Sequence, residues 1–462
     1  MKNGYMEKIL DIDLGSGKIE TIDFPEEAKK QYLGGSGLAA WYLNKETDPA
    51  AVDPLGPENT FVLLTGPVCG TPVYSSSRYE ACAKAPLTGV WGEANSGGKV
   101  AQDLKSAGYD GLILRNAADK PVRIFVSEDK VEIADAGQLA GKDAYDMENV
   151  LKSEYGEKIN FVGVGPAGDK MVPIAALMND GVDGRAAGRG GLGAVLGSKN
   201  VKAVVVAKGG LGTPINDPEA LKASIKAHSQ DMKELTEGLR EFGTAGVVTP
   251  NEESGDLPIK NWAQGSWSEG ARKIDGPTMN RTILTKRYHC GRCAIGCGRI
   301  VKVDGGPYAV PEGPGPEYET LAMIGANCLI DNLEAIAKAN ELCNRYGLDT
   351  IAAGAAVAFG MEAYDRGLIS KKDTDGIELN WGNADAMIEI IKAIGENRGF
   401  GQVLGQGVRK AAEIIGGNAV EFACHVKGMD LPAHDPRALQ QCPRIHDLQP
   451  GCLPSECLRH GL

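Results

Sequence analysis

The sequence predicts an α+β protein, β-rich through about residue 210 and mainly helical afterwards. Three observations carry that expectation. Up to Gly210, short β-branched and apolar runs alternate with glycine turns. Beyond Asn216, apolar residues recur at helical spacing. The length of 462 residues is too great for one hydrophobic core, so several domains are expected.

The elements follow in chain order. "KILDIDLGSGKIETIDF" reads as a hairpin, with Ile9, Ile12 and Leu14 alternating before a Gly15-Ser16-Gly17 turn and Ile19 and Ile22 after it. "TFVLLTGP", "GLILRN", "PVRIFVSEDKVEIAD" and "VKAVVVAKG" read as further strands, and "GGKVAQDLKSAG" as a helix among them. "NDPEALKASIKAHSQDMKELTEGLREFG" places Leu221, Ile225, Met232, Leu235 and Leu239 on one helical stripe, capped by Asn216 or Asp217. "NLEAIAKANELCNRYGLD" is a helix stopped by Gly347, and Asp349 can cap the next, "TIAAGAAVAFGMEAYDRG". "NADAMIEIIKAIGENRG" and "GVRKAAEIIG" continue the helical pattern, and a new segment begins after Glu421.

Composition narrows the function. A net charge of −12 with no strong basic patch argues against a nucleic-acid partner. The N-terminus lacks the apolar stretch of a signal peptide, and no apolar run reaches the length of a membrane span. A cytoplasmic protein with no membrane partner is expected. Eleven cysteines in that reducing compartment point to metal or redox chemistry more than to disulfides.

The densest signal is "RYHCGRCAIGCGR", which holds Cys290, Cys293 and Cys297. Thiolates with two and three residues between them on a glycine-rich turn can converge on one metal centre. The spacing favours an iron–sulfur cluster over zinc, because zinc ribbons pair two separated Cys-x-x-Cys units. Three buried structural thiols are the plain alternative. A second signal is "NDGVDGRAAGRGGLGAVLGSKN", where glycine N–H groups and the forks of Arg185 and Arg189 suit phosphate. It is neither a Walker loop nor a Rossmann fingerprint. Weaker signals are Arg78 in "SSSRYEACAKAPLTG", Asn95 and Gly97 in "GEANSGG", Glu317 and Glu319 in "GPEYET", and Asp349 in "YGLDT". Taken alone, each of these reads as well as strand, surface charge or helix cap.

Together and in this order, the pieces resemble the tungsten-containing aldehyde:ferredoxin oxidoreductase family, from about Glu7 to Ala438. Shared strings include "DPLGPENTFVLLTGPVCGTP", "RAAGRGGLGAVLGSKNVKAV", "GPEYE", "YGLDT" and "LPAHDPR". The resemblance implies a β-rich N-terminal domain followed by mostly helical domains, the last one incomplete here. It implies residues 1–210 as the pterin-binding domain and 211–420 as a helical domain with the cysteine run and the first pterin motif. Residues 421–462 would begin a truncated third domain.

The implied activity is oxidation of aldehydes to carboxylic acids at a tungsten (or molybdenum) bis-pyranopterin centre. Electrons would pass through a [4Fe–4S] cluster to ferredoxin. Cys290, Cys293 and Cys297 would ligate the cluster. Arg78, Asn95, Gly97, Arg185, Ala186 and Asp349 would contact the pterins, and Glu319 would be the carboxylate near tungsten. Two alternatives remain: a family member with a non-aldehyde substrate, and a non-catalytic iron–sulfur or zinc protein.

The sequence departs from the family pattern in three places. Asn344 stands where the family's pterin motif has its first Asp. Lys338 and Glu341 stand where some members carry a Glu-x-x-His that bridges two subunits through a metal, so a homodimer here would lack that metal. The final residues resemble nothing in the family, but read one base later, with permissible codons, they give "SNALGYMTSNRGAC", close to a family string. A frameshift near Leu439 is therefore expected, with the fourth cluster cysteine and the second pterin motif lost beyond it. On that reading Cys442, Cys452, Cys457, His446 and His460 are not ligands.

Overall fold

The computed structural model describes residues 3–438, so the tail readings, including Cys442, Cys452, Cys457, His446 and His460, lie outside the described residues. Two compact units emerge. The first runs to Glu241 and also takes in Arg287–Gly298 and Asn344–Asp349. The second comprises Phe242–Lys286, Arg299–Cys343 and the chain from Thr350 on. The cysteine run and Asp349 thus belong to the unit built by the N-terminal strands.

The first unit holds two six-stranded sheets. One has the order β2-β1-β6-β3-β4-β5, from β1 (Lys8–Asp13), β2 (Lys18–Asp23), β3 (Phe61–Thr65), β4 (Tyr79–Lys84), β5 (Trp91–Ser96) and β6 (Gly111–Arg115). The other has the order β11-β10-β9-β12-β7-β8, from β7 (Val122–Val126), β8 (Val131–Asp135), β9 (Ile159–Gly163), β10 (Leu177–Asn179), β11 (Arg185–Ala187) and β12 (Val201–Ala207). Only the β1–β6 and β7–β12 pairs are parallel among these.

The predicted first hairpin forms, with Ile9 opposite Ile22 and Ile12 opposite Ile19. Its turn is held by the Asp13 carboxylate, which accepts from the N–H groups of Gly15 and Ser16. The continuous apolar runs of β3, β6 and β12 have a simple cause: both of their faces are covered. Successive side chains alternate between two cores. Phe61, Leu63, Leu112 and Leu114 join Ile124, Val162, Val204 and Val206 in a core shared by the two sheets. Val62, Leu64 and Ile113 instead pack on Leu38, Ala39 and Tyr42 of helix Gly35–Glu46. On the far side, Phe161, Met178 and Val205 pack on Met147 and Leu151 of helix Ala144–Tyr155.

One expected helix is broken. The stretch after Asp217 forms three short helices, Pro218–Ala227, Ser229–Leu235 and Glu237–Phe242, none with a buried residue. Asp217 caps the first by accepting from Ala220 N, as the sequence suggests. The Thr236 hydroxyl donates back to the Met232 carbonyl, an arrangement that bends helices. The bends scatter the apolar stripe, and Leu235 is left 85% exposed.

The second unit is organised on helix Thr350–Asp365, in which every residue from Ala352 to Ala363 is buried. A helix apolar all round needs neighbours on all sides. They are the π-helical turn Leu321–Gly325, helix Ala384–Gly395 and helix Val408–Ile415. The π turn comes so close that a Cβ on Gly354 would lie 2.6 Å from the Met323 carbonyl carbon. A three-stranded sheet, β13 (Leu284–Tyr288), β14 (Gly298–Val303) and β15 (Val310–Pro314), carries the cysteine run on its first connection. Lys338 and Glu341 pair with each other at 2.6 Å. No helix among the described residues is long and apolar enough to cross a membrane.

Candidate active site

The cysteine loop is built against the end of β5. Cys290, Cys293 and Cys297 are half-buried thiols that form no disulfide among the described residues. The loop turns where Cys293 N donates to Cys290 O at 3.1 Å. Gly296 takes φ +67°, and a Cβ there would meet the His289 ring at 2.4 Å, so only glycine suits the position. The loop is tied down by Gly291 N donating to Gly98 O at 2.8 Å and by Ser75 N donating to Arg292 O at 3.1 Å. Gly97 lets it approach: a Cβ there would lie 2.9 Å from the Cys290 sulfur.

The thiols differ electrostatically. Burial pushes Cys290 up, against the opposing pull of the Arg185 guanidinium. Burial also acts on Cys293, but the Ser75 hydroxyl and the N–H groups of Gly296 and Ile295 outweigh it and hold this thiol below its usual value. Among the described residues no three His, Cys, Asp or Glu side chains converge as a metal-holding group. The loop therefore supplies three thiols of the right chemistry on one turn, without their convergence.

The arginine loop lies beside it. Hairpin β10–β11 presents Arg185, whose guanidinium lies 4.6 Å from the centre of the Tyr288 ring and close against Gly298. The Tyr288 hydroxyl donates to Asp180, whose other oxygen accepts from Lys99 N. Ala186 is the exposed middle residue of β11. Arg78 and Asn95 come together: Arg78 Nε donates to Asn95 Oδ1 at 2.8 Å on the exposed face of β4 and β5. On the same face Glu80 is raised to about 7 by burial and by the charge of Glu93, with Arg78 opposing. Asp349 is buried and paired with Arg189 at 2.9 Å, so one of the two expected phosphate forks is engaged by a carboxylate.

In the second unit, Glu319 Oε2 accepts from Ala433 N at 2.8 Å. Glu319 Oε1 lies 3.8 Å from His434 Nε2, and His434 Nδ1 lies 2.7 Å from Asp256 Oδ2. The Tyr318 hydroxyl donates to Ala433 O at 2.6 Å, and burial holds that phenol well above its ordinary range.

The chain matches two family descriptions: "Aldehyde ferredoxin oxidoreductase, N-terminal domain" over residues 9–208, and "Aldehyde ferredoxin oxidoreductase, domains 2 & 3" over residues 220–443. The tungsten-containing aldehyde ferredoxin oxidoreductase of Pyrococcus furiosus is 38% identical over 442 residues, covering 95% of this chain and 71% of that protein. The chain belongs to the aldehyde ferredoxin oxidoreductase family.

Two further proteins similar to this chain carry other names. An aliphatic sulfonate oxidoreductase, WOR-like subunit, from Pyrococcus furiosus is 34% identical over 455 residues, covering 94% of this chain and 72% of that one. The solved active site complex BamBC of benzoyl coenzyme A reductase, in complex with 1,5-dienoyl-CoA, superimposes with TM-score 0.82 at 26% identity, over 94% of this chain and 66% of that one.

Within the family frame, the structure gathers most of the sequence-derived residues. Cys290, Gly97 and Arg185 meet around the cysteine loop, Arg78 meets Asn95, and Asp349 meets Arg189. The Gly97 backbone lies directly against the Cys290 thiol, an approach that any side chain would block. His434 and Asp256 had no assigned role in the sequence. His434 sits in "LPAHDPR", far along the chain from Glu319, and no local pattern links them.

Proposed function

We propose that this oxidoreductase converts aldehydes to carboxylic acids at a tungsten bis-pyranopterin centre and passes the electrons through a [4Fe–4S] cluster to ferredoxin. The observation that carries the proposal is the Glu319–His434 pair, found in a chain of this family. Tungsten, when bound, supplies the two-electron chemistry that side chains lack. Cys290, Cys293 and Cys297 would hold cluster iron, and Cys293 is already biased towards thiolate. Arg78, Asn95 and Arg185 would bind pterin phosphate and ring edges through charged and amide donors, against the Gly97 backbone. Asp349 would contact the first pterin while bound to Arg189.

Aldehyde oxidation consumes one water and releases two protons and two electrons. The Glu319–His434 pair is suited to that water. A separation of 3.8 Å is too long for a direct hydrogen bond. A single oxygen roughly 2.7 Å from both atoms fits between them with an angle of about 90°. Glu319 Oε1 can take a proton from it while His434 Nε2 holds the same oxygen.

A second substrate class has support. The sulfonate oxidoreductase and benzoyl coenzyme A reductase relatives belong to enzymes whose names do not specify simple aldehydes. One experiment separates the possibilities. Full-length protein is purified without oxygen, its tungsten, molybdenum, iron and zinc are measured, and viologen reduction is followed over a broad aldehyde panel. Tungsten, iron and aldehyde-dependent reduction are expected. Metal loading without aldehyde turnover moves the assignment to another substrate, and zinc alone overturns the redox reading.

A further inference from the structure

We propose that Asp256 is the positioning residue of the Glu319–His434 pair, holding the His434 imidazole with a proton on Nδ1 so that Nε2 faces the Glu319 carboxylate. The inference rests on the proposed proton-transfer role of that pair.

The argument starts from donors and acceptors. Asp256 Oδ2 lies 2.7 Å from His434 Nδ1. An ionised carboxylate only accepts, so the imidazole nitrogen must donate. Neutral imidazole has one N–H, and using it on Nδ1 leaves a lone pair on Nε2. The same carboxylate stabilises the imidazolium that would form if Nε2 took a proton.

Burial gives the chain of groups a direction. The Asp256 side chain is 6% exposed, while those of His434 and Glu319 are 35% and 33% exposed. The anchor is sealed and the working end is open.

The backbone on both sides of the ring is also fixed. Asp435 N donates to Asp256 O at 2.8 Å, and Asp256 N donates to Asn251 O at 2.7 Å. Trp262 Nε1 donates to His434 O at 3.2 Å, and Arg437 donates both to Trp262 O and to Asp435. Charged groups at the ring include Asp256 and Glu319, with Asp435 and Arg437 paired to each other next along the chain and the Tyr318 ring centre 5.7 Å from that of His434.

The test reads the tautomer directly. Full-length protein with 15N-histidine is examined by NMR, and the His434 signal is assigned by its loss in His434→Gln. The expected spectrum of the neutral ring is Nδ1–H with an unprotonated Nε2, with Nδ1–H lost as the dominant tautomer in Asp256→Asn. Asp256→Glu should restore it at least in part. In metal-loaded protein, Asp256→Asn should lower kcat at least tenfold with KM changed less than threefold. An Nε2–H tautomer in the unaltered protein overturns the proposal, and that result needs no variant to fold. An Asp256→Asn spectrum unchanged from the parent also overturns it. An inactive protein with the expected tautomer and its loss in Asp256→Asn would sustain the positioning role and sink the proposed activity instead.

Discussion

Gly97 lies so close to Cys290 that a methyl group on it would sit 2.9 Å from the thiol sulfur. Gly97→Ala should therefore push the Cys290 thiol and its loop outward while leaving all three thiols in the sequence. Iron content of anaerobically purified protein is expected to fall about twofold or more, since a site loosened by about 1 Å loses its geometry. Circular dichroism should stay unchanged. Full iron content in the variant would show that the loop has slack.

Each of Cys290→Ser, Cys293→Ser and Cys297→Ser should abolish the visible iron–sulfur absorption. Cys424→Ser, a half-buried thiol in the second unit, should leave it intact. Hydroxyl does not replace thiolate as a soft ligand for iron. Absorbance and iron content on the four variants decide the assignment.

Asp349 is 5% exposed and its partner Arg189 is 22% exposed. Removing the acid takes a carboxylate partner from a partly buried guanidinium. Asp349→Leu is expected to lower unfolding free energy by about 1–3 kcal/mol, below the full cost of a stranded buried charge because Arg189 reaches some solvent. Urea titration measures this. Arg189→Leu combined with Asp349→Leu should recover part of the loss.

Glu80 has a pKa raised to about 7 in the folded protein, first by burial and then by Glu93. The folded state holds this proton more tightly than the unfolded state does. Between the unfolded value, near 4.5, and about 7, stability must fall as pH rises. Glu80→Gln removes that loss. The variant should match the parent near pH 4.5 and exceed it at pH 8 by on the order of 1 kcal/mol, after allowance for partial exposure. Thermal melts at the two pH values test the sign.

In the second unit, Gly354 faces the Met323 backbone at a distance no Cβ can share. Gly354→Ala should cost about 1–3 kcal/mol by overpacking, despite the better helix propensity of alanine. A stabilised variant would mean that the π turn can move aside.

Much of the first unit was legible in the sequence. The β1–β2 hairpin needed only alternation and a turn, and β3, β6 and β12 needed only apolar runs between glycines. The Asp217 cap was also readable, because capping acts over three residues. The long helix after it was not, because the Thr236 back-bond competes with a periodicity that is otherwise sound.

The sequence by itself determined the family, the strand and helix content, and the set of thiols, arginines and acids available for chemistry. Only the tertiary structure decided which of them meet. It set Gly97 against Cys290, Arg189 on Asp349, and Asp256 and Glu319 at opposite ends of His434. Periodicity and turn chemistry act over a few residues, whereas these contacts join segments brought together only by burial of the cores. A histidine's tautomer or an arginine's freedom is set by the atoms that reach it, and those atoms come from distant parts of the chain.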